Sequence, residues 1–401
     1  TLHFTTDYTR LTEIIAGSIE NNFLNASGNL ALPPITYKTN NSSLSSVFAS
    51  KIDFSKNIGP TSSFDAGAKI SSVRTSNKYL FQRKNNLSNV YYTDTALSNN
   101  FHYKEETMAA YANYRKVLTK ISVQFGLRAE FTQQIGENTD KGFDLLKRYP
   151  NLFPNISMEY KASPTHNLQL NFNKRIDRPA FNDLNPFRWF MDQYYYFEGN
   201  PFLLPHYSYN AELTHGFKDW LTNSFTYTRT DQIMTDYTLQ NDTTKVTTET
   251  KKNMKYMNYF AYALFIGHDV TTWWNASLQG LLTYIEYSGD LNDLLFHTRG
   301  VYYNISSTHT FLTSKSTKIE LNAFYKSGLN AGLAFVNPFG IVSFAFTKTF
   351  LKNKWNLSIG INDLFYTMKM GSHLNFSNQN WTYQQTTDSR RLVITINYNF
   401  G

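Results

Sequence analysis

Hydrophobic and polar residues alternate along most of this chain with a period of two. The segments 167–173, 356–362 and 392–400 follow this rule. In the segment 121–131, one face carries Ile121, Val123, Phe125, Leu127, Ala129 and Phe131. Because successive side chains of a β-strand point to opposite faces, the pattern predicts strands with one apolar and one polar face.

The alternating segments predict an all-β, antiparallel chain of about sixteen strands. Several segments exceed the usual length of about 5–6 residues for strands of soluble proteins, and they suit a bilayer, which takes about 9–11. Trp220, Trp274 and Trp355 lie near strand ends, as in the aromatic belts of membrane barrels. A soluble sandwich would show the same alternation, so alternation alone leaves the solvent open. We place the strands at 2–11, 44–56, 62–75, 105–116, 120–132, 153–162, 166–176, 207–218, 221–236, 255–268, 272–286, 298–312, 317–326, 341–351, 355–365 and 381–400.

The connections between these strands are short and long in strict alternation. This asymmetry predicts an up-and-down transmembrane β-barrel with short periplasmic turns and long extracellular loops. The short turns are rich in lysine, which suits nearby anionic headgroups, although solvated turn lysines explain each single one equally well. The predicted short links are 57–61, 117–119, 163–165, 219–220, 269–271, 313–316 and 352–354. The long ones are 12–43, 76–104, 133–152, 177–206, 237–254, 287–297, 327–340 and 366–380.

Composition narrows the class of protein. Aromatic residues make up 16% of the 401 residues and charged residues only 17%, which disfavours disorder. The longest uncharged stretch, 327–347, is interrupted by glycine and proline, so it is a poor candidate for a membrane-spanning helix. The net charge is +8, but lysine and arginine are scattered, so we expect no nucleic-acid partner.

No pattern of catalytic or metal-binding residues stands out. The chain has no cysteine, and its nine histidines form no His-x-x-x-His pair. The neighbours Thr308-His309 and Ser372-His373 would point to opposite faces of a strand, so neither forms a nucleophile and its base. The sequence therefore predicts no enzyme, no catalytic residues, no metal and no cofactor.

The connection 177–206 is the best candidate for a binding site. Its Asn185-Pro186 and Gly199-Asn200-Pro201 stretches are turn-forming, so they are expected to shape the loop and its return to the wall. Alternatively, polar and aromatic side chains here line a pocket, where rings stack on a ligand and Arg and Asp supply hydrogen bonds. The predicted ligand-binding residues are Arg188, Trp189, Asp192, Tyr194, Tyr195 and Tyr196.

Two further features of the loops have open interpretations. Asp177, Arg178 and Asp183 form a mixed-charge cluster, which is more often a structural ion pair than a ligand clamp. The polar, β-branched stretch 237–254 is either a hairpin above the membrane or a mobile loop.

The loop and the chain end resemble the outer-membrane β-barrel family of TonB-dependent receptors of the Bacteroidetes type. The resemblance spans roughly 101–401 and is specific in 175–213. Late strands with Asn362-Asp363-Leu364-Phe365 and the terminal strand 392–400 agree with it. The loop motifs that carry it are Arg178-Pro179, Leu184-Asn185-Pro186-Phe187, Gly199-Asn200-Pro201 and Leu204-Pro205, followed by Glu212.

The resemblance implies a transporter of the Gram-negative outer membrane that imports a scarce or bulky nutrient, such as a siderophore, glycan or peptide, in an energised way. Such receptors have about 22 strands around a plug. Since Thr1 already begins a strand-like segment, we expect 1–401 to be the C-terminal barrel portion, without the plug. The implied partners are membrane lipid and lipopolysaccharide, the TonB complex through an N-terminal region outside this chain, and a surface lipoprotein.

Three alternatives stay open. Sixteen strands could form a passive porin-like channel, because barrels of that size enclose an aqueous pore. The chain could also be a surface β-protein that binds glycans through its aromatic loops. An enzyme on the barrel wall is disfavoured because no catalytic group of residues is evident.

Overall fold

A computed structural model describes residues 1–138, 142–291, 294–351, 354–376 and 378–400. Its main feature is one antiparallel wall of sixteen strands, and each predicted strand corresponds to one of them. The strands are β1 Leu2–Leu24, β2 Leu30–Asn57, β3 Ser62–Lys84, β4 Asn99–Val117, β5 Ile121–Asn138, β6 Phe143–Ser163, β7 His166–Asp177, β8 His206–Phe217, β9 Leu221–Asp231, β10 Tyr256–Thr271, β11 Trp274–Leu291, β12 Leu294–Ser314, β13 Thr317–Lys326, β14 Phe339–Phe350, β15 Trp355–Asn362 and β16 Arg391–Tyr398.

Each wall strand pairs with its neighbours in sequence, as an up-and-down barrel requires. The ladder runs without a crossover from β1 to β16, and the short strand Tyr91–Thr93 adds to the end of β3. Among the described residues, β1 is paired only with β2, and β16 only with β15. The wall is therefore open along these two edges.

The burial of side chains is the reverse of that in a soluble protein. On β5, Phe125, Leu127 and Phe131 are exposed on the outer face, at 51%, 50% and 42%. The alternate residues Glu130 and Thr132 are buried on the inner face. Water would favour the opposite arrangement, whereas lipid outside and polar groups inside favour this one. Alternation alone left open whether the apolar faces contact lipid or form the core of a soluble sandwich. This burial pattern indicates that they contact lipid.

Aromatic side chains gather where the strands meet the short turns. Trp274 stacks on Phe311 with ring centroids 5.9 Å apart, and Trp355 lies 4.7 Å from Tyr398. Such amphipathic rings are favoured at the boundary between hydrocarbon and headgroups.

Many strands continue well beyond the predicted segments. The predicted long connection 12–43 is mostly strand, because β1 and β2 stay paired almost up to a tight turn at 25–29. Two predicted strands are each divided: 221–236 breaks at Gln232, where φ is +57°, and 381–400 is interrupted at 387–390. Part of the predicted turn 352–354, including Lys352, lies outside the described residues.

Two small sheets cover the end of the wall that carries the long connections. The first loop sheet contains Arg188–Phe190, Tyr195–Glu198, Met234–Gln240 and Thr247–Asn253. It shows that 237–254 belongs to a hairpin. The second loop sheet contains Leu329–Ala331, Ala334–Val336, Lys369–Phe376 and Gln379–Thr386.

The two loop sheets touch. Gln379 Nε2 donates to the Thr238 carbonyl at 2.5 Å, and Asn378 Nδ2 to that of Gln240 at 3.0 Å. The connection between β7 and β8 also contains one turn of helix, Phe181–Leu184. In the described parts of the chain, no helix has the length and apolar character needed to cross a membrane.

Candidate functional site

Residues 178–205, between β7 and β8, fold inward against the polar inner face of the wall. Arg178 contacts the Glu130 carboxylate and donates to Thr132 Oγ1 at 2.9 Å. The acids of the predicted mixed-charge cluster have other partners: Asp183 lies 3.1 Å from Lys251, and Asp177 lies 3.5 Å from His206. Arg178 and Asp183 are thus held in structural ion pairs, whereas Asp177 is mostly exposed and lies beside a histidine whose pKa is lowered by burial.

The Asn185-Pro186 stretch anchors the segment to β2, β3 and β4. The Asn185 amide is buried; its Nδ2 donates to Asn77 Oδ1 at 3.3 Å, and its Oδ1 accepts from Asn99 Nδ2 at 3.4 Å. Asn77 Nδ2 in turn donates to Asn41 Oδ1 at 2.6 Å. Beside this amide chain, the fully buried Leu184 packs in a cluster with Phe101, Tyr103 and Leu203.

The Gly199-Asn200-Pro201 stretch brings two backbone segments into close contact. A Cβ on Gly199 would overlap the carbonyl oxygen of Asn185, so only glycine fits. Asn200 N donates to the Asp183 carbonyl at 2.6 Å. Lys147 Nζ donates to the carbonyls of Pro201 and Leu203, at 2.8 and 2.5 Å. These contacts favour the shape-determining interpretation of the motif.

Aromatic rings continue this anchoring toward the rim. Phe187 lies 4.7 Å from Tyr79, and Phe190 lies 5.0 Å from Phe81, measured between ring centroids. Tyr196 packs on Phe190 at 5.2 Å and is itself buried. Such pairs stabilise beyond their buried area, so this part of the loop is well fixed.

A cavity of about 610 Å³, here called the vestibule cavity, opens between this segment, the end of β3 and the hairpin of the first loop sheet. Arg83, Arg188, Phe190 and Tyr196 line one side, and hairpin residues around Gln240 line the other. The Arg188 guanidinium lies 4.7 Å from the centre of the Tyr196 ring. The cavity thus combines cationic groups with aromatic surface.

Both arginines are held by carboxylates. Arg83 Nε lies 2.6 Å from Asp94, and Arg188 Nε lies 3.3 Å from Glu198. Burial alone would raise the pKa of Asp94, but hydrogen bonds from Arg83 and the Leu97 N–H lower it below its usual range. Because a guanidinium has five N–H donors, each arginine keeps donors for a ligand.

The six predicted ligand-binding residues fall into different environments. Arg188 and Tyr196 line the vestibule cavity. Asp192 caps a turn, accepting from the N–H groups of Tyr194 and Tyr195 at 2.7 and 2.9 Å. The Tyr195 hydroxyl donates to Glu249, and the Tyr194 side chain is exposed. Trp189 is half-buried on the short strand that pairs with Tyr195–Glu198.

Sequence reasoning missed the other half of the cavity. Arg83 is more than 100 positions from Arg188, and the hairpin belongs to a different connection. No local signal marks them, because only the folding of the loops brings them together. Within the described ranges, no group of three or more His, Asp or Glu side chains could hold a metal ion.

Comparison with known proteins identifies the family. Residues 1–398 match the model of the outer membrane protein beta-barrel family. The chain belongs to this family. Its place is therefore the outer membrane, in agreement with the exposed apolar face of the wall. A search of curated proteins finds no match.

Solved structures share the barrel fold at low identity. The copper transporter OprC aligns with all of this chain and 63% of its own, at 11% identity and a TM-score of 0.64. The ferric citrate transporter FecA in its unliganded form aligns with 98% of this chain and 58% of its own, at 12% identity and a TM-score of 0.60. The ferric yersiniabactin uptake receptor FyuA from Yersinia pestis aligns with 100% of this chain and 62% of its own, at 13% identity and a TM-score of 0.57. The chain thus spans about three fifths of these proteins.

Proposed function

We propose that this outer-membrane barrel is part of a TonB-dependent receptor that imports a scarce nutrient in an energised way. The main support is the end of the wall that carries the long connections, where two loop sheets and the 178–205 segment occupy the mouth, and where this segment and the first loop sheet line the vestibule cavity. A passive pore needs an open mouth, whereas a receptor needs a site that holds a dilute ligand. Similar folds carry the names of copper and ferric-chelate transporters.

We further propose that 1–401 is the C-terminal portion of a larger barrel. The open edges of β1 and β16 expose unpaired backbone groups, which are very costly in lipid. Transporter barrels with plugged lumens have about 22 strands, so further strands would close the gap. The plug and the TonB-contacting region would belong to the same additional part of the protein.

The ligand proposed for the vestibule cavity is a small anionic chelate of the siderophore class. Arg83 and Arg188 offer N–H donors to carboxylate or hydroxamate oxygens, while Phe190 and Tyr196 offer ring faces. Neutral glycans are less suited, because they offer no anionic oxygens to the two guanidinium groups. Trp189, Asp192, Tyr194 and Tyr195 stay predictions as ligand contacts, and so does the surface lipoprotein partner.

Uptake of iron-55 as ferric citrate or as a ferric hydroxamate by cells making the complete protein tests this function. We expect uptake that requires both this protein and TonB, and that falls at least tenfold in a variant with Arg83→Gln and Arg188→Gln. Arg390→Gln, in another loop, is the matched control and should keep full uptake. TonB-independent uptake would contradict the energised mechanism.

Conductance across a planar bilayer separates the receptor from a passive channel. The complete receptor should conduct little current, because its mouth and lumen are occluded. A large, steady conductance of the wild-type protein would instead establish the porin-like alternative.

A further inference from the structure

Two histidines meet on the outer face of the wall, at the end that carries the short turns. His166 begins β7, and His215 lies just before the end of β8, at Phe217. Because His166 is directly opposite Phe217, the two histidines are diagonal neighbours across the ladder. They lie an even number of residues from Leu170 and Leu213, which are exposed on the apolar outer face. Both imidazoles therefore project from that face, next to the short turns.

The two imidazole rings face each other edge to edge. His166 Nδ1 lies 3.0 Å from His215 Nε2, and the ring planes are tilted by only 12°. Because the ring centroids are 5.3 Å apart, much farther than the two nitrogens, these nitrogens are the ring atoms that face each other. The in-plane nitrogen sites of both rings are thus directed at the same small space.

Neighbouring side chains orient each ring. The Phe217 ring lies 4.6 Å from the His166 ring, measured between centroids. Asn223 of β9 is directly opposite His215, and its side-chain amide lies 3.3 Å from His215 Nδ1. Metal-binding histidines are typically held in this way, with the second ring nitrogen hydrogen-bonded to an outer partner. His215 thus presents Nε2 while its other nitrogen is occupied.

The separation of the two nitrogens suits a shared metal ion. Two nitrogens that each lie about 2.0–2.1 Å from one ion are about 2.9 Å apart at a right angle and about 3.3 Å apart in a tetrahedron. The distance between His166 Nδ1 and His215 Nε2 is 3.0 Å, within this range. Small rotations of the two rings are therefore enough to aim both lone pairs at one ion.

We propose that His166 and His215 bind one divalent transition-metal ion, Cu²⁺ most tightly, and that water supplies the remaining ligands. Imidazole is a good ligand for Cu²⁺, Ni²⁺ and Zn²⁺, and Cu²⁺ has the highest affinity of the three. The ion replaces the hydrogen bond between the rings, so the proton in that bond moves to the other nitrogen of its own ring. His166 then carries its proton on Nε2 and His215 on Nδ1, where the Asn223 amide, turned by 180°, offers its oxygen.

The site is separate from the proposed transport function. It lies at the opposite end of the wall from the vestibule cavity. Strands β7 and β8 are paired on both sides, so further strands that close the barrel would not cover it. His166 is exposed and His215 is half-buried, so water reaches the pair. Since the described residues contain no larger cluster of His, Asp or Glu ligands, water has to complete the coordination.

Titration of the complete protein in detergent with Cu²⁺ tests the proposal, with electron paramagnetic resonance as the measurement. We expect a bound ion whose spectrum shows coupling to two imidazole nitrogens. His166→Ala and His215→Ala should each weaken binding at this site at least about tenfold, because a chelating pair becomes a single ligand. Asn223→Ala keeps both ligands but loses the outer partner, so it should weaken binding by about tenfold.

Controls separate this pair from other surface histidines. His268 is also exposed on the outer face at the short-turn end, where its ring lies 5.5 Å from that of Trp220. His268→Ala is therefore the matched control and should leave the affinity unchanged. The mobility of unheated protein in an SDS gel verifies that each variant is folded. Wild-type affinity in a variant with both His166→Ala and His215→Ala, or an equal loss in His268→Ala, would overturn the proposal.

Discussion

Asp363 follows β15 and fixes the loop that leads to the second loop sheet. Its buried carboxylate accepts from Ser389 Oγ at 2.6 Å and from the N–H groups of Thr367 and Met368 at 2.9 and 3.0 Å. Burial would raise its pKa, but the bond from Ser389 and those from the two N–H groups hold the pKa at about 2. The Thr367 hydroxyl also donates to it at 3.1 Å, so Asp363 is an anionic anchor for four donors.

We expect Asp363→Asn to loosen this loop, because an amide cannot accept all of these bonds. Losing a charge-assisted bond costs about 1.5–3 kcal/mol, so hydrogen exchange at Thr367 and Met368 should accelerate roughly 10- to 100-fold. Asp388→Asn, in the same loop, is the control, since its carboxylate has no described partner. Similar exchange in both variants would show that the loop does not depend on Asp363.

Asp363 also makes the stability of this loop depend on pH. Its folded pKa of about 2 lies below the ordinary value of 3.8, so its contribution is fully present above pH 4 and is lost as the pH falls toward 2. Exchange at Met368 should therefore be constant, after correction for intrinsic rates, from pH 7 to about pH 4. Loosening that is complete at about pH 5 would contradict this assignment.

Substitution of Gly199 tests whether its close backbone contact fixes the 178–205 segment. Gly199→Ala should release the 178–205 segment, because the new Cβ would overlap a carbonyl oxygen of the same segment. Limited proteolysis of intact protein should then cut within 178–205, where the wild type resists. Gly280→Ala is the matched control, because this glycine lies on a strand and a Cβ added to it would have no other atom within 4 Å. Resistance in both variants would show that the close approach is dispensable.

At the scale of elements, the first loop sheet joins two connections that are separate in sequence. Its parallel pairing, Tyr195–Phe197 with Thr247–Glu249, is reinforced by the bond from the Tyr195 hydroxyl to Glu249. Burial first, and then this bond, raises the pKa of Tyr195, so the hydroxyl stays protonated at physiological pH. One side chain thus couples the loop after β7 to the hairpin after β9.

Tyr195→Phe should weaken that coupling. The Glu249 carboxylate would lose its donor, and exchange of the Thr247–Glu249 amides should rise about tenfold. Tyr194→Phe is the control, because the Tyr194 side chain is exposed and has no described bond. Unchanged exchange in Tyr195→Phe would mean that backbone pairing alone joins the loops.

The elements also show what the sequence predicts and what it does not. Alternation located all sixteen strands because one face of each meets lipid and must be apolar. Alternation did not predict the parts of the strands that extend above the membrane. The stretch Asn40–Ser43, for example, is polar on both faces and yet remains paired in β2. Strand pairing there comes from continued backbone hydrogen bonding, which leaves no mark on side-chain hydrophobicity.

In the candidate site, too, the sequence predicts some features and not others. The motif around Gly199 was recognisable because its turn chemistry is local. Arg188 and Tyr196 lie just before this motif in the sequence, but Arg83 and Gln240 reach the cavity only through long-range loop packing. Local patterns cannot predict such a meeting of distant segments.

At the scale of the whole molecule, the apolar outer face decides where the protein is stable. Leu127 lies in the middle of the outer face of β5 and is half exposed. Leu127→Arg should therefore destabilise the folded barrel in lipid vesicles by about 2–4 kcal/mol, the cost of arginine at the bilayer midplane. Denaturant titration of the complete protein in vesicles measures this value.

Gln124→Arg is the matched control, because Gln124 is on the polar inner face of the same strand. Its substitution should change the free energy of unfolding by less than about 1 kcal/mol. If both variants lost equal stability, the outer face of β5 would not contact lipid.

The strict alternation of faces on β5 also limits how the gene can change in length. A single codon inserted in β5 just before Phe125 would turn Phe125, Leu127 and Phe131 toward the interior and present Arg128 and Glu130 to lipid. The same insertion at the turn 25–29 would leave every wall residue on its own face. Gains and losses of codons are therefore tolerated in turns at the long-connection end and rejected in the wall, so related genes should differ in length mainly at that end.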